Sequence, residues 1–206
     1  MLEVSRAHPR LAACTLVYLF GFLTAGILVG SDLAIPYALV IGTLVVLVAA
    51  LERRVDLGPG VLWALAAWGS FHMAGGVIPI GGGRTLYNAW LLPGHLLRYD
   101  QAVHAFGFGY ATLACGKVLR RWLPDGRVGA GPAAMVVLAG MGVGALNEVF
   151  EFFATLVLED TNVGGYDNTG WDLVADLVGA LAAAAWLTTS SRRESSEGGV
   201  RSYDGT

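Results

Sequence analysis

The chain has 206 residues, 55% of them hydrophobic and only 14% charged, with a formal net charge of −3 and a mean hydropathy of +0.58. That balance excludes an ordinary soluble domain or a disordered chain and places the protein in the membrane class. No basic footprint for nucleic acid is present, so the bilayer itself is the expected partner.

Apolar runs of roughly twenty residues occupy 11–30, 34–51, 61–80, 99–119, 132–158 and 171–189. Each is long enough to cross about 30 Å of hydrocarbon as a helix. The first follows Arg6 and Arg10, as a signal peptide would, but ends at Gly30-Ser31-Asp32 without an A-x-A site, so it is expected to stay as a span. The fold class expected is therefore all-α, a polytopic transmembrane bundle with six spans in one domain over 1–189, followed by a disordered tail over 190–206. Of the 13 Lys plus Arg residues, Arg84 and Arg98 alone fall in outer loops, leaving 13 − 2 = 11 for the other side. The positive-inside rule then puts both termini in the cytoplasm of a cell with this protein in its inner membrane.

Cys14 and Cys115 fall inside spans and read as small packing residues rather than a disulfide or metal pair. Small residues one helical turn apart, Gly26 with Gly30, Gly140 with Gly144 and Gly179 with Ala183, allow close helix approach in lipid. Between the third and fourth spans, Gly81-Gly82-Gly83 leads into Leu86, Tyr87, Trp90, Leu91 and Leu92, an amphiphilic stretch expected to anchor in the interface or cover a site as a lid. Asp160, Asn162 and Gly164 faintly resemble a calcium loop, but Trp171 stands where the closing Glu belongs.

The chemical signal lies in ionisable residues inside these spans: His72, Asp100, His104, Glu148, Glu151, Asp172 and Asp176. A charged group at the bilayer centre costs roughly 2.5–3.5 kcal/mol on insertion scales, so such residues mark functional sites by default. Asp100 with His104, and Asp172 with Asp176, are spaced i, i+4; Glu148 and Glu151 are spaced i, i+3, with Asn147 four residues before Glu151. Each pair shares one helical face. Chain direction puts all seven in the half nearest the outer surface, where they can line one cavity.

Like charges so packed need a compensating cation or protons. His and carboxylate ligands suit a divalent metal such as Zn, Mn, Fe or Mg. His72, Asp100, His104, Asp172 and Asp176 are the candidate metal ligands, and Glu148 and Glu151 the candidate catalytic bases. The function expected is a metal-dependent hydrolase or transferase acting on a lipid-linked or envelope substrate. A small proton- or cation-coupled transporter is the first alternative, and would call for a polar counterpart in the inner half. A non-catalytic membrane protein is the other, and would show folding losses, not activity losses, on Glu148→Gln.

His72-Met-Ala-Gly-Gly76, Arg98-Tyr-Asp100-x-x-x-His104, Asn147-Glu148-x-x-Glu151 and Trp171-Asp172-x-x-x-Asp176 resemble the YjdF-like bacterial inner-membrane proteins over roughly residues 60 to 188. More distantly, the Asp100/His104, Glu148/Glu151 and Asp172/Asp176 motifs resemble the VanZ-like proteins linked to glycopeptide-antibiotic resistance. There the last two pairs typically read Glu then Gln and Asp then Asn, so the pocket here is the more acidic. Both resemblances imply a membrane protein with its site at these residues.

Overall fold

A computed structural model describes residues 2–124, 126–158, 161 and 164–201, with side chains from residue 3 to residue 193. A short helix α1 (Leu2–Ala7) precedes six long ones: α2 (Pro9–Leu28), α3 (Ala34–Val55), α4 (Gly58–Val77), α5 (Tyr99–Arg120), α6 (Ala130–Val157) and α7 (Tyr166–Arg201). Proline opens α2 and α4, where a missing N–H costs nothing. Asp56 ends α3 in the left-handed conformation. Among the described residues four helices, α2, α3, α6 and α7 up to Arg193, are long and apolar enough to cross a membrane. The chain is thus an all-α membrane protein. The Trp, Ser and His residues of α4 and the polar first turn of α5 distinguish those two.

Their place in the bundle explains the difference. α5 stands between α4, α6 and α7, while α2 and α3 pack on the far side of α4. The outer helices turn Val17, Phe20, Leu39, Phe150, Phe152 and Leu156 outward, half-exposed or more, as lipid-facing surfaces require. Polar groups are inside instead: His72, His104, Thr112, Glu148, Asp172 and Asp176 are all buried. At the end holding the termini, two apolar clusters fill the interior, Leu57, Val61, Leu62 and Ala114 in one, Val128, Val136 and Leu187 in the other. The buried ionisable side chains occupy the opposite half, on the side of the 78–98 connection.

Glycines set the helix spacing there. A Cβ on Gly179 of α7 would meet the carbonyl oxygen of Ala105 on α5, and one on Gly109 would touch the Gly179 backbone, so the two helices cross backbone to backbone. Likewise a Cβ on Gly144 of α6 would strike the Asp176 carboxylate. Gly140, its expected partner in close packing, faces Thr112 of α5.

Several boundaries differ from the sequence reading. α4 stops at Val77, three residues early, because the chain turns extended at Ile78 and Pro79. Pro79–Gly81 (β1) and Arg84–Thr85 (β2) then form a small antiparallel hairpin, whose tip needs glycine since Gly81, Gly82 and Gly83 all have positive φ. α7 starts at Tyr166, five residues before the expected Trp171, and extends beyond Thr189 to Arg201. The Thr189 and Ser190 hydroxyls donate to carbonyls one turn back, and Ser191 accepts from Arg120 Nη2 at 2.8 Å and from the Val128 amide at 3.2 Å, which ties the helix down. Asp160 and Asn162 of the calcium-like stretch lie outside the described residues.

Replacing Gly179 by Leu should force α5 and α7 apart. Overpacking of this kind typically costs about 1–3 kcal/mol. A fall in the thermal midpoint of detergent-purified protein is expected, and an unchanged midpoint would contradict the backbone crossing.

Candidate functional site

α5 opens with the Arg98 amide donating to the Gln101 side chain at 2.9 Å, a cap that fixes where the first turn points. Asp100 and His104, one turn apart, then face α7. His104 is fully buried, and its Nδ1 lies 3.0 Å from Asp176 Oδ1 across the glycine crossing. A carboxylate only accepts, so Nδ1 carries the proton and Nε2 is left facing Asp100 Oδ1 at 3.8 Å. From α6, Glu148 brings Oε1 to 4.0 Å from His104 Nδ1. Glu151, a turn nearer the surface, is held by Asn147 Nδ2 donating to its Oε1 at 2.8 Å.

The mouth of the cluster is closed by Asn168, which the sequence reading did not single out. Its amide nitrogen donates to Asp100 Oδ2 at 3.2 Å and to Asp172 Oδ2 at 2.5 Å, and its oxygen accepts from Arg98 Nη1 at 3.1 Å. Arg98 also lies over the Trp90 ring, 4.7 Å from its centroid, with the His95 ring on Trp90 at 4.8 Å. The signal for Asn168 was its i, i+4 spacing ahead of Asp172. Starting the helix at Trp171 hid it.

His72 stands apart from the carboxylates. Its Nδ1 is hydrogen-bonded to the Tyr87 hydroxyl, and its ring lies 6.2 Å from that of His104 and 5.1 Å from that of Trp68. Burial pushes the Tyr87 phenol well above its usual pKa, so it stays protonated. Of the stretch expected to anchor in the interface or cover a site, Tyr87 turns inward, where Gly75 leaves room for its ring, while Trp90, Leu91 and Leu92 remain exposed. Trp68, Phe108 and His72 make an aromatic wall behind His104.

What distinguishes this cluster is how many of its buried atoms lack a hydrogen-bond partner: His104 Nε2, both oxygens of Glu148, Asp172 Oδ1 and Asp176 Oδ2. Thr169 approaches Glu148 without completing a bond of ordinary geometry. Buried polar atoms are normally satisfied, and unpaired ones cost about 1–3 kcal/mol each, more when charged. Two groups, Asp100 with His104 and Asp172, and His104 with Glu148 and Glu151, bring one ligand atom from each residue within 4.8 Å of one another. The 3.8 and 4.0 Å separations are too long for hydrogen bonds. The first, on the free Nε2 side, suits two ligands flanking one ion, since ligand bonds of about 2.0–2.2 Å put neighbouring donors roughly 3–4 Å apart.

The model of the family described as "Predicted membrane protein (DUF2238)" matches residues 10–193. The chain belongs to that family. No curated protein and no solved structure matches it. The DUF2238 match spans all six long helices up to Arg193, so it takes in every residue of the cluster.

In this DUF2238 protein the structure therefore brings five of the seven ionisable residues singled out in the sequence around the imidazole of a sixth, His104, and sets the seventh, His72, against Tyr87 instead. Such an arrangement can hold a cation, orient an imidazole through a carboxylate behind it, and accept a proton at a carboxylate beside it. Asn168→Ala would remove donors from two carboxylates and the acceptor for Arg98. A stability loss of about 1–3 kcal/mol is expected, read as a lower thermal midpoint, whereas Asn168→Asp, which keeps the acceptor and adds charge, should lower it further.

Proposed function

We propose that this membrane protein carries an intramembrane divalent-cation site and uses it for hydrolysis or transfer on a lipid-linked or envelope substrate. The observation that carries this reading is the convergence of unpartnered buried atoms, His104 Nε2 and the free oxygens of Asp172 and Glu148, on one pocket. Neutral imidazole and carboxylate donors in that mix suit Zn, Mn or Fe, and the carboxylates also accept Mg.

In this reading Asp100, His104 Nε2 and Asp172 hold the cation. Asp176 stays behind, fixing the His104 tautomer through Nδ1 as outer carboxylates do for metal-bound histidines. A divalent ion with one position left to water supplies a nucleophile at neutral pH. Glu151, oriented by Asn147, is the proton acceptor. His72 is no ligand here but a buried hydrogen-bond partner of the connecting loop.

Six spans and cytoplasmic termini complete the proposal. The 11 Lys and Arg residues away from the 78–98 loop support that orientation, which turns the pocket outward. Exposed Trp90, Leu91, Leu92 and Leu96 beside Arg98 support an interfacial approach for a lipid substrate. The apolar clusters closing the other half favour a one-sided site over a transport path. The YjdF-like and VanZ-like motif resemblances fall on these same residues.

Elemental analysis of detergent-purified protein is expected to find a tightly held divalent metal, depleted at least tenfold in His104→Ala. Saturating metal should raise the thermal midpoint, by the equivalent of about 2.7 kcal/mol at one hundred times Kd, and chelator should lower it. Metal-free wild-type protein with a chelator-insensitive midpoint would overturn the reading.

A further inference from the structure

Resting on the cation site just proposed, we infer that the pocket takes two divalent cations, one on each side of the His104 imidazole. The first position is the Asp100, His104 and Asp172 group; the second is bounded by Glu148 and Glu151 of α6, and an ion there makes Glu151 a ligand in place of the proton acceptor of the one-ion reading. His104 lies between them: its free Nε2, 3.8 Å from Asp100, serves the first, while its Nδ1, 4.0 Å from Glu148, keeps its proton on Asp176 and leaves the second to carboxylate oxygens.

Two observations separate this from a single ion among surplus acids. The unpartnered atoms fall in both groups, His104 Nε2 and Asp172 Oδ1 in the first, both oxygens of Glu148 in the second. Glu148 is 8% exposed and Asp172 1%, so water at the surface satisfies neither. A single ion at the Asp100 side would leave the Glu148 carboxylate buried with neither an ion nor a full hydrogen bond to offset its charge.

Charge points the same way. Asp100, Glu148, Glu151, Asp172 and Asp176 carry five carboxylates, and Arg98, through Asn168, is the guanidinium that reaches them. Four negative charges remain when all are ionised, which two divalent cations match and one does not. The second position offers carboxylate oxygen, which favours Mg or Mn; the first adds imidazole nitrogen. A pair of ions flanking one imidazole would act as a clamp on an anionic ester, with Arg98 at the mouth. The substrate class this fits is a phosphate ester of a lipid.

Full-length protein in detergent, stripped with chelator, reloaded with Mn and dialysed to equilibrium, gives the test through metal content and electron paramagnetic resonance. The expected result is two Mn per chain with the spectrum of a magnetically coupled pair, and one uncoupled Mn in Glu148→Gln. One Mn per chain with an isolated six-line spectrum in the wild type overturns the second position and leaves the single-cation reading standing. Two uncoupled Mn also overturn the pair. No retained Mn overturns both. The wild-type stoichiometry and spectrum decide the matter even if Glu148→Gln fails to fold.

Discussion

The contact between His104 on α5 and Asp176 on α7 is the constraint around which the rest of the bundle is arranged. Both side chains are fully buried, in a chain whose outer surfaces are apolar, and neither could be placed there alone without a large desolvation cost. Pairing them requires the two helices to approach within backbone contact. Gly179 against Ala105 and Gly109, one turn further in, makes that approach possible. The polar interaction and the small-residue crossing are therefore one device: the glycines permit the distance and the hydrogen bond fixes rotation of the helices.

From that contact the distribution of polarity follows. α4, α6 and α7 surround α5, and their buried ionisable groups, His72, Glu148, Asp172 and Asp176, lie in the interior, while large apolar side chains make up much of the outer faces. The half of the interior near the termini has no such demand and is filled by Leu, Val and Ala clusters. The difference between the halves gives the protein a direction: one end is filled by apolar packing, and the other carries the buried carboxylates around His104.

The connection over 78–98 is more than a link between helices. Its glycine hairpin reverses the chain, Tyr87 drops back onto His72, and Trp90 with His95 and Arg98 forms a small stack at the mouth. A single loop thus joins the aromatic wall behind the imidazole to the interfacial surface above it. Movement of that loop would change the surroundings of His72 and, through Asn168, those of Asp100 and Asp172 together.

Hydropathy and spacing made much of this readable in one dimension. Length of apolar runs is a local property, so the long helices were legible, and i, i+4 or i, i+3 spacing is local too, so the Asp100/His104, Glu148/Glu151 and Asp172/Asp176 faces could be drawn before any fold was known. Glycine at Gly144 and Gly179 announced close packing without saying against what. Partnership between helices is not local. That His104 chooses Asp176, that Asn168 bridges Asp100 and Asp172, and that His72 turns to Tyr87 rather than to the carboxylates depend on the rotation of each helix about its axis. Composition determined a membrane bundle with ionisable side chains on three helical faces; the tertiary structure alone decided which of them meet, because a rotation of one residue's angle on a helix, about 100°, carries a side chain from the pocket to its wall.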